Sequence, residues 1–265
     1  MRPERTENHE STSASLREAI ANFIREEVTR QSSSALFAEP LIGFARCDDP
    51  AFLSLKTIIG AHHLLPEEVL PKAKSAVAFF LPYRPEIVIS NRGSAVSREW
   101  AEAYLKANDA IDAIGAALCA YLAGRGFDSI AVGATHTYDP ESLTASWSHR
   151  SVAFIAGLGR FGLNRLLITA KGSAGRYGSV LTTADIPADP RPEANKEEEP
   201  CTYFRDGGCR FCLQNCPTGA LSEEGIDRQL CNAYLLKVSE GFSDLGFCDV
   251  CGKCAVGPCA LSGVR

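Results

Sequence analysis

Apolar residues recur along the chain with periods that name its elements. In "SLREAIANFIREEV" (15–28), Leu16, Ile20, Phe23, Ile24 and Val28 return every three or four positions, which predicts a helix. Ser15 and Glu18 have the spacing of a capping box at its start. "LIGFA" and "SAVAFFLPY" (75–83) are short, apolar and rich in strand formers, the second stopped by Pro82. From about Arg98 to Ala123, a stripe of Trp100, Tyr104, Ala107, Ile111, Ile114, Leu118 and Leu122 predicts a long helix, closed by the glycines of "GRGF". "SIAVGA" and "RYGSVLTT" predict further strands. "HRSVAFIAGLG" predicts another helix, followed by a glycine-punctuated turn and "RLLIT". The fold class expected is α/β, of the α+β kind.

The pattern breaks at "IPADPRPEANKEEEP" (186–200), where four prolines and a run of charge predict a solvated linker. The expected domains are residues 1–190, a linker over 191–200, and a small unit over 201–265. The first part can bury a core unaided, whereas a unit as short as the second needs a staple such as metal. At 45% hydrophobic and 22% charged residues the chain has globular composition, and its net charge of −5 gives no support for broad nucleic-acid binding. No apolar run approaches the roughly 18–20 residues that cross a bilayer. The polar start lacks the apolar core of a signal peptide, so a cytoplasmic location is expected, with no membrane and no nucleic-acid partner.

The cysteines change the picture. Of eleven, only Cys47 and Cys119 precede residue 200, and both sit in or beside apolar runs as small buried hydrophobes would. The other nine are Cys201, Cys209, Cys212, Cys216, Cys231, Cys248, Cys251, Cys254 and Cys259. In a reducing compartment such a cluster points to metal before disulfides. Two [4Fe–4S] clusters need eight thiolates. Zinc needs four and favours paired CxxC motifs or added histidines, and the tail has no histidine. Paired clusters are therefore expected.

Cys201, Cys209 and Cys212 form the first group. Cys216, which precedes Pro217, crosses to a second cluster with Cys231, Cys248 and Cys251, and the last place on the first cluster falls to Cys254 or Cys259. A ferredoxin-like alternative joins Cys248, Cys251 and Cys254 to Cys216, gives Cys259 to the first cluster and leaves Cys231 free. Spacing alone leaves both open.

"CPTGAL", "RQLCNAYL" and "CDVC" together resemble the double-cluster region of the epoxyqueuosine reductases. "AGLGRFGLN" (156–164) resembles that family's Ala-Gly-Leu-Gly-Trp-x-Gly-Lys-Asn stretch, and "GRYGSVLTT" its glycine-containing strand. The similarity spans roughly residues 70 to 259. It implies a nitroreductase-like domain that binds cobalamin, followed by a small ferredoxin-like domain with two [4Fe–4S] clusters, a layout shared with reductive dehalogenases. It further implies an oxidoreductase in which electrons pass from a donor such as ferredoxin or flavodoxin, through the clusters, to the corrinoid. Arg160 and Leu163 replace the family's tryptophan and lysine, and Leu143 stands at the position of its acid, with Asp139 and Glu141 nearby. A small-molecule substrate other than epoxyqueuosine-tRNA is therefore expected.

Within that frame, His149 is the candidate proton donor, since imidazole titrates near neutral pH. Arg150, Arg160 and Arg176 are candidates for a corrinoid's amide or phosphate fringe, or for an anionic substrate. Gly157, Gly159 and Gly162 would admit a ligand close to the backbone. Three alternatives follow: a non-catalytic electron carrier, a corrinoid-handling protein, and an enzyme with flavin in place of the corrinoid.

Overall fold

The computed structural model describes residues 4–31, 35–133, 138–191 and 198–263. The chain begins with α1 (Glu4–Arg30), β1 (Leu41–Arg46), α2 (Pro50–Ile58), α3 (Pro66–Val69), β2 (Ser75–Pro82), α4 (Pro85–Ser90), α5 (Arg98–Ala123) and β3 (Ser129–Val132). Two small hairpins, β4 (Tyr138–Asp139) with β5 (Thr144–Ala145) and β6 (Gly159–Phe161) with β7 (Leu167–Thr169), flank α6 (His149–Ile155). Then come β8 (Gly175–Thr182) and the short helices α7 (Thr202–Asp206) and α8 (Phe211–Gln214), followed by α9 (Arg228–Gly241).

The main sheet has the order β1-β2-β8-β3, and each neighbouring pair is antiparallel. Every residue of β2 is buried, and its two-residue period splits the core in two. Val77, Phe79 and Leu81 face α1, α4 and α5, while Ala76, Ala78 and Phe80 face α2 and α6. The protein is a mixed α/β fold with helices on both faces of an antiparallel sheet.

The predicted stripes hold. Ile20, Ile24 and Val28 are buried on α1, as are Trp100, Ile111, Ile114, Leu118 and Leu122 on α5. Ser97 caps α5, its Oγ accepting the Trp100 N–H at 3.1 Å. The capping box expected at Ser15 is not formed. The helix runs on through Ser15 from Glu4 because no breaker interrupts the polar residues before it, and both Ser15 and Glu18 are exposed.

The expected linker is anchored at both ends. Ile186 is fully buried, Asp189 accepts the Phe44 N–H at 2.9 Å and pairs with Arg17, and Glu199 is buried. Proline and charge density predicted solvation there, but these side chains have specific partners. Residues 192–197 of that stretch lie outside the described residues. The cysteine-bearing segment packs into the core on the α5 side, where Cys248, Val250, Ala255, Val256 and Ala260 join α1 and α5.

Candidate metal centre

Five cysteines border one gap: Cys201, Cys209, Cys212, Cys254 and Cys259. Cys201 stands at the N-cap of α7, Cys209 and Cys212 flank and enter α8, and Cys259 closes the ring with Leu163 and Asn164. Burial pushes the Cys212 thiol up to about 11, and the neighbouring Cys259, Cys201 and Cys209 add to the shift. The sulfurs already have hydrogen-bond donors. Leu163 N–H donates to Cys201 Sγ at 3.4 Å, Asn164 Nδ2 to Cys259 Sγ at 3.8 Å, and the Ser173 hydroxyl lies 3.7 Å from Cys259 Sγ.

A second group adjoins it. Cys216 follows α8, Cys231 lies in the first turn of α9, Cys251 precedes the turn at Lys253–Ala255 and Cys254 lies within it. Burial pushes Cys254 up to about 12, reinforced by Cys251, Cys231, Cys212 and Cys216. Cys216 goes the other way. Burial raises it, but bonds from Thr218, Leu221 and Ala220 outweigh that and hold the thiol below its ordinary value, which favours thiolate. Cys212 of the first group acts on Cys254 of the second, so the two groups share a border.

This grouping differs from the expected ligand orders chiefly at Cys248. Cys259 lies with the first group and Cys231 with the second, while Cys254 borders both. Cys248 is set apart from both. It is fully buried in the apolar core, its thiol donates to Ala101 O at 3.7 Å and its N–H to Ser239 Oγ at 2.9 Å. Both orders read from spacing gave Cys248 to the second cluster, because "CDVC" and "CGKC" offer the same two-residue gap and only packing separates them.

The residues fit iron–sulfur clusters. Zinc draws four donors onto one ion, fewer than the nine cysteines of the tail. A cubane takes one thiolate on each iron, so its ligands stand around a volume, as the first group does. Beside the second group, the buried Trp100 Nε1–H has no partner among the described residues and lies against Gly252, between Cys251 and Lys253.

The remaining candidates fare differently. His149 is buried in the core. Its Nε2 lies 3.1 Å from Gly133 O, so that nitrogen carries the proton, and Nδ1 accepts from the Ser179 hydroxyl at 2.8 Å. Trp147 Nε1 donates to the same hydroxyl at 3.0 Å. Burial lowers His149 to about 4, with the Gly133 bond opposing and Arg176 adding to the shift. With both nitrogens engaged inside the protein, His149 is a packing residue and not the expected proton donor.

The glycines do not form a ligand cradle. A Cβ on Gly157 would meet Pro190 O at 2.5 Å, on Gly159 Ile168 O at 2.2 Å, and on Gly162 Ile168 Cδ1 at 2.6 Å. Their missing side chains make room for the protein's own backbone and hairpin. Arg160 pairs with Glu199 at 3.2 Å. Arg176 donates to Asn108 Oδ1 at 2.7 Å and lies over the Tyr104 ring, 4.6 Å from its centroid. Tyr104 in turn donates to Asp249 at 2.6 Å. The six residues expected to hold a corrinoid therefore do not fit that group as a set.

Arg150 alone opens to solvent. It is exposed yet surrounded by protein on several sides, and desolvation, followed by repulsion from Arg176, lowers its pKa. Its guanidinium donates to Arg165 O at 3.2 Å, and the charges of Tyr177, Cys254 and Arg228 also act on it. Leu143 lies in the β4–β5 turn with φ +53°. The Asp139 carboxylate is committed to that turn, accepting the Ser142 N–H at 2.6 Å.

No protein-family profile matches the chain. Its sequence is 30% identical over 187 residues to an epoxyqueuosine reductase of Bacillus cereus, covering 67% of this chain and 43% of that enzyme. The chain is an epoxyqueuosine reductase homologue. It spans less than half the length of that relative. An epoxyqueuosine reductase solved with an epoxyqueuosine-modified tRNA-Tyr stem loop superimposes on this homologue with a TM-score of 0.56 at 21% identity, covering 93% of this chain and 68% of that one. A reductive dehalogenase whose structure suggests a mechanism for B12-dependent dehalogenation has a TM-score of 0.50 at 15% identity, covering 69% of this chain and 23% of that one. These likenesses establish the fold.

They also bear on two expectations. A substrate other than epoxyqueuosine-tRNA gains no support, because the sequence relatives of this homologue are that enzyme. The expected absence of a nucleic-acid partner gains no support either, because one structural relative was solved with a tRNA stem loop. Net charge of −5 averages over the whole surface and says little about one binding face. Among the described residues no helix is long and apolar enough to cross a membrane.

Proposed function

We propose that this chain is an iron–sulfur oxidoreductase with two [4Fe–4S] clusters. Cys201, Cys209, Cys212 and Cys259 would hold the first, and Cys216, Cys231, Cys251 and Cys254 the second. What supports this reading is the convergence of Cys201, Cys209, Cys212 and Cys259 on one gap and of Cys216, Cys231 and Cys251 about Cys254, which borders both, with Cys248 set apart. Clusters so placed supply one-electron transfer, and the protein's part is to hold the thiolates, donate hydrogen bonds to sulfur and exclude water. A ferredoxin or flavodoxin is the class of donor that suits them. In this reading residues 1–190 form a nitroreductase-like domain and 201–265 a ferredoxin-like one.

The electron acceptor would sit on the Arg150 side of the cysteines, since the charge of Cys254 acts on that exposed arginine. A corrinoid is the acceptor to test first, since one relative's chemistry is B12-dependent. Epoxyqueuosine in a tRNA stem loop is the substrate to test first, since another relative was solved with it.

The test is anaerobic reconstitution with iron and sulfide, followed by titration with hydroxocobalamin. Two clusters per chain are expected by iron and sulfide content and by the EPR of the reduced protein, and a saturable change in the corrin bands is expected on titration. One zinc per chain and no bound sulfide overturns the cluster assignment. Intact clusters with unchanged corrin bands reject the corrinoid and leave an electron carrier or a flavin enzyme.

A further inference from the structure

The Lys253 side chain is 2% exposed and sits between Cys251 and Cys254 in the second cysteine set. Its ammonium is held by four oxygens of the segment joining α4 to α5. Nζ donates to Asn91 O at 2.8 Å, Asn91 Oδ1 at 3.1 Å, Gly93 O at 2.8 Å and Ala95 O at 2.5 Å. These acceptors are all neutral. Among the described residues no carboxylate pairs with Lys253, and the ionisable group whose charge acts on it is Cys251.

A buried ammonium satisfied only by dipoles is costly, and interiors that retain one generally place a negative charge beside it. The seat is rigid. Asn91 is fully buried and its Nδ2 donates to Cys251 O at 2.9 Å, while Asn215 Nδ2 donates to Lys253 O at 2.6 Å. Gly252, at φ +70°, lies flat against Trp100, where a Cβ would come within 2.3 Å of the indole. The charge is therefore fixed in place.

We propose that Lys253 is the built-in counter-charge of the second cluster, raising its reduction potential and tying its ligand loop to the α4–α5 segment. The proposal rests on the two-cluster reading above. A [4Fe–4S] cluster with four thiolates is anionic when oxidised and gains one further negative charge on reduction. A fixed cation beside it stabilises the reduced form more than the oxidised one. The first set has no such lysine among its own residues.

The test is EPR-monitored redox titration of the reconstituted full chain and of Lys253→Met. The expected result is at least a tenfold fall in the reduced-to-oxidised ratio of the second cluster at fixed potential, or about 59 mV for a one-electron couple, with the first cluster unmoved. An unchanged second potential in a variant that keeps both clusters overturns the proposal. Where Lys253→Met does not retain the second cluster, Ala95→Asp decides. Ala95 is exposed and its carbonyl bonds to Nζ, so this change sets a carboxylate beside the cage without removing the lysine. A lowered second potential that recovers in high salt supports the proposal, and no shift overturns it. Failure of the two-cluster reading itself is visible separately, as wild-type protein that reconstitutes with fewer than two clusters.

Discussion

Arg160 Nε lies 3.2 Å from Glu199 Oε2, while Glu199 Oε1 accepts the backbone N–H of Cys201 at 3.1 Å. One buried carboxylate thereby links the β6 strand to the outlying ligand of the first set. Glu199→Ala leaves the Cys201 amide without this acceptor, a loss of about 1–3 kcal/mol that denaturant titration reads. The same variant should surrender its first cluster to a chelator faster than wild type. Glu199→Gln keeps an acceptor for the amide and should lie close to wild type in chelator resistance. If the two variants behave alike, the amide bond is not what matters.

Cysteine substitutions separate the ligands from the spare. Cys248→Ala removes a buried thiol from the α5 side of the core, so about 1 kcal/mol of stability should go while both clusters stay. Cys259→Ala should abolish the first cluster and leave the second. Iron content with EPR of the reduced variants checks both. Loss of a cluster in Cys248→Ala would restore the ligand order that spacing alone proposed.

His149 gives the fold an acid-sensitive point. An unfolded imidazole titrates near 6.5, and burial holds the folded one at about 4. Below 6.5 the unfolded chain therefore takes up a proton that the folded protein refuses, so stability is complete above that pH and falls as pH drops toward 4. Between pH 7 and pH 5 the loss from this one group is about 2 kcal/mol. Denaturant melts at the two pH values should show it, and His149→Gln should flatten the difference. An equal slope in the variant would assign the acid sensitivity elsewhere.

Much of the scaffold is legible in the sequence because it is written in periods. The β2 alternation of Val77, Phe79 and Leu81 against Ala76, Ala78 and Phe80, and the α5 stripe ending at Leu122, appear directly as core faces. The cysteine count likewise shows in the sequence, and it is the basis of the proposed clusters. What composition hides is partnership across distance. Glu199 reads as one charge in a solvated run, yet it is buried against Arg160 and Cys201. Gly159 reads as an opening for a ligand, but it makes room for Ile168 O across a hairpin. Lys253 looks like an ordinary surface lysine until Asn91, Gly93 and Ala95 close around it. Each of these depends on contacts between residues distant in sequence, which no local pattern encodes.

The two cysteine sets are nested along the chain. Cys216, Cys231, Cys251 and Cys254 all fall between Cys212 and Cys259. Drawing the inner four together first leaves only the short spans from 212 to 216 and from 254 to 259 to bring the outer ring closed. Short closures carry the smaller entropic penalty. The thiolate-prone Cys216 sits at the junction of the two rings, where the inner one starts. If the proposed assignment holds, the threading of this tail favours loading from the inside outward.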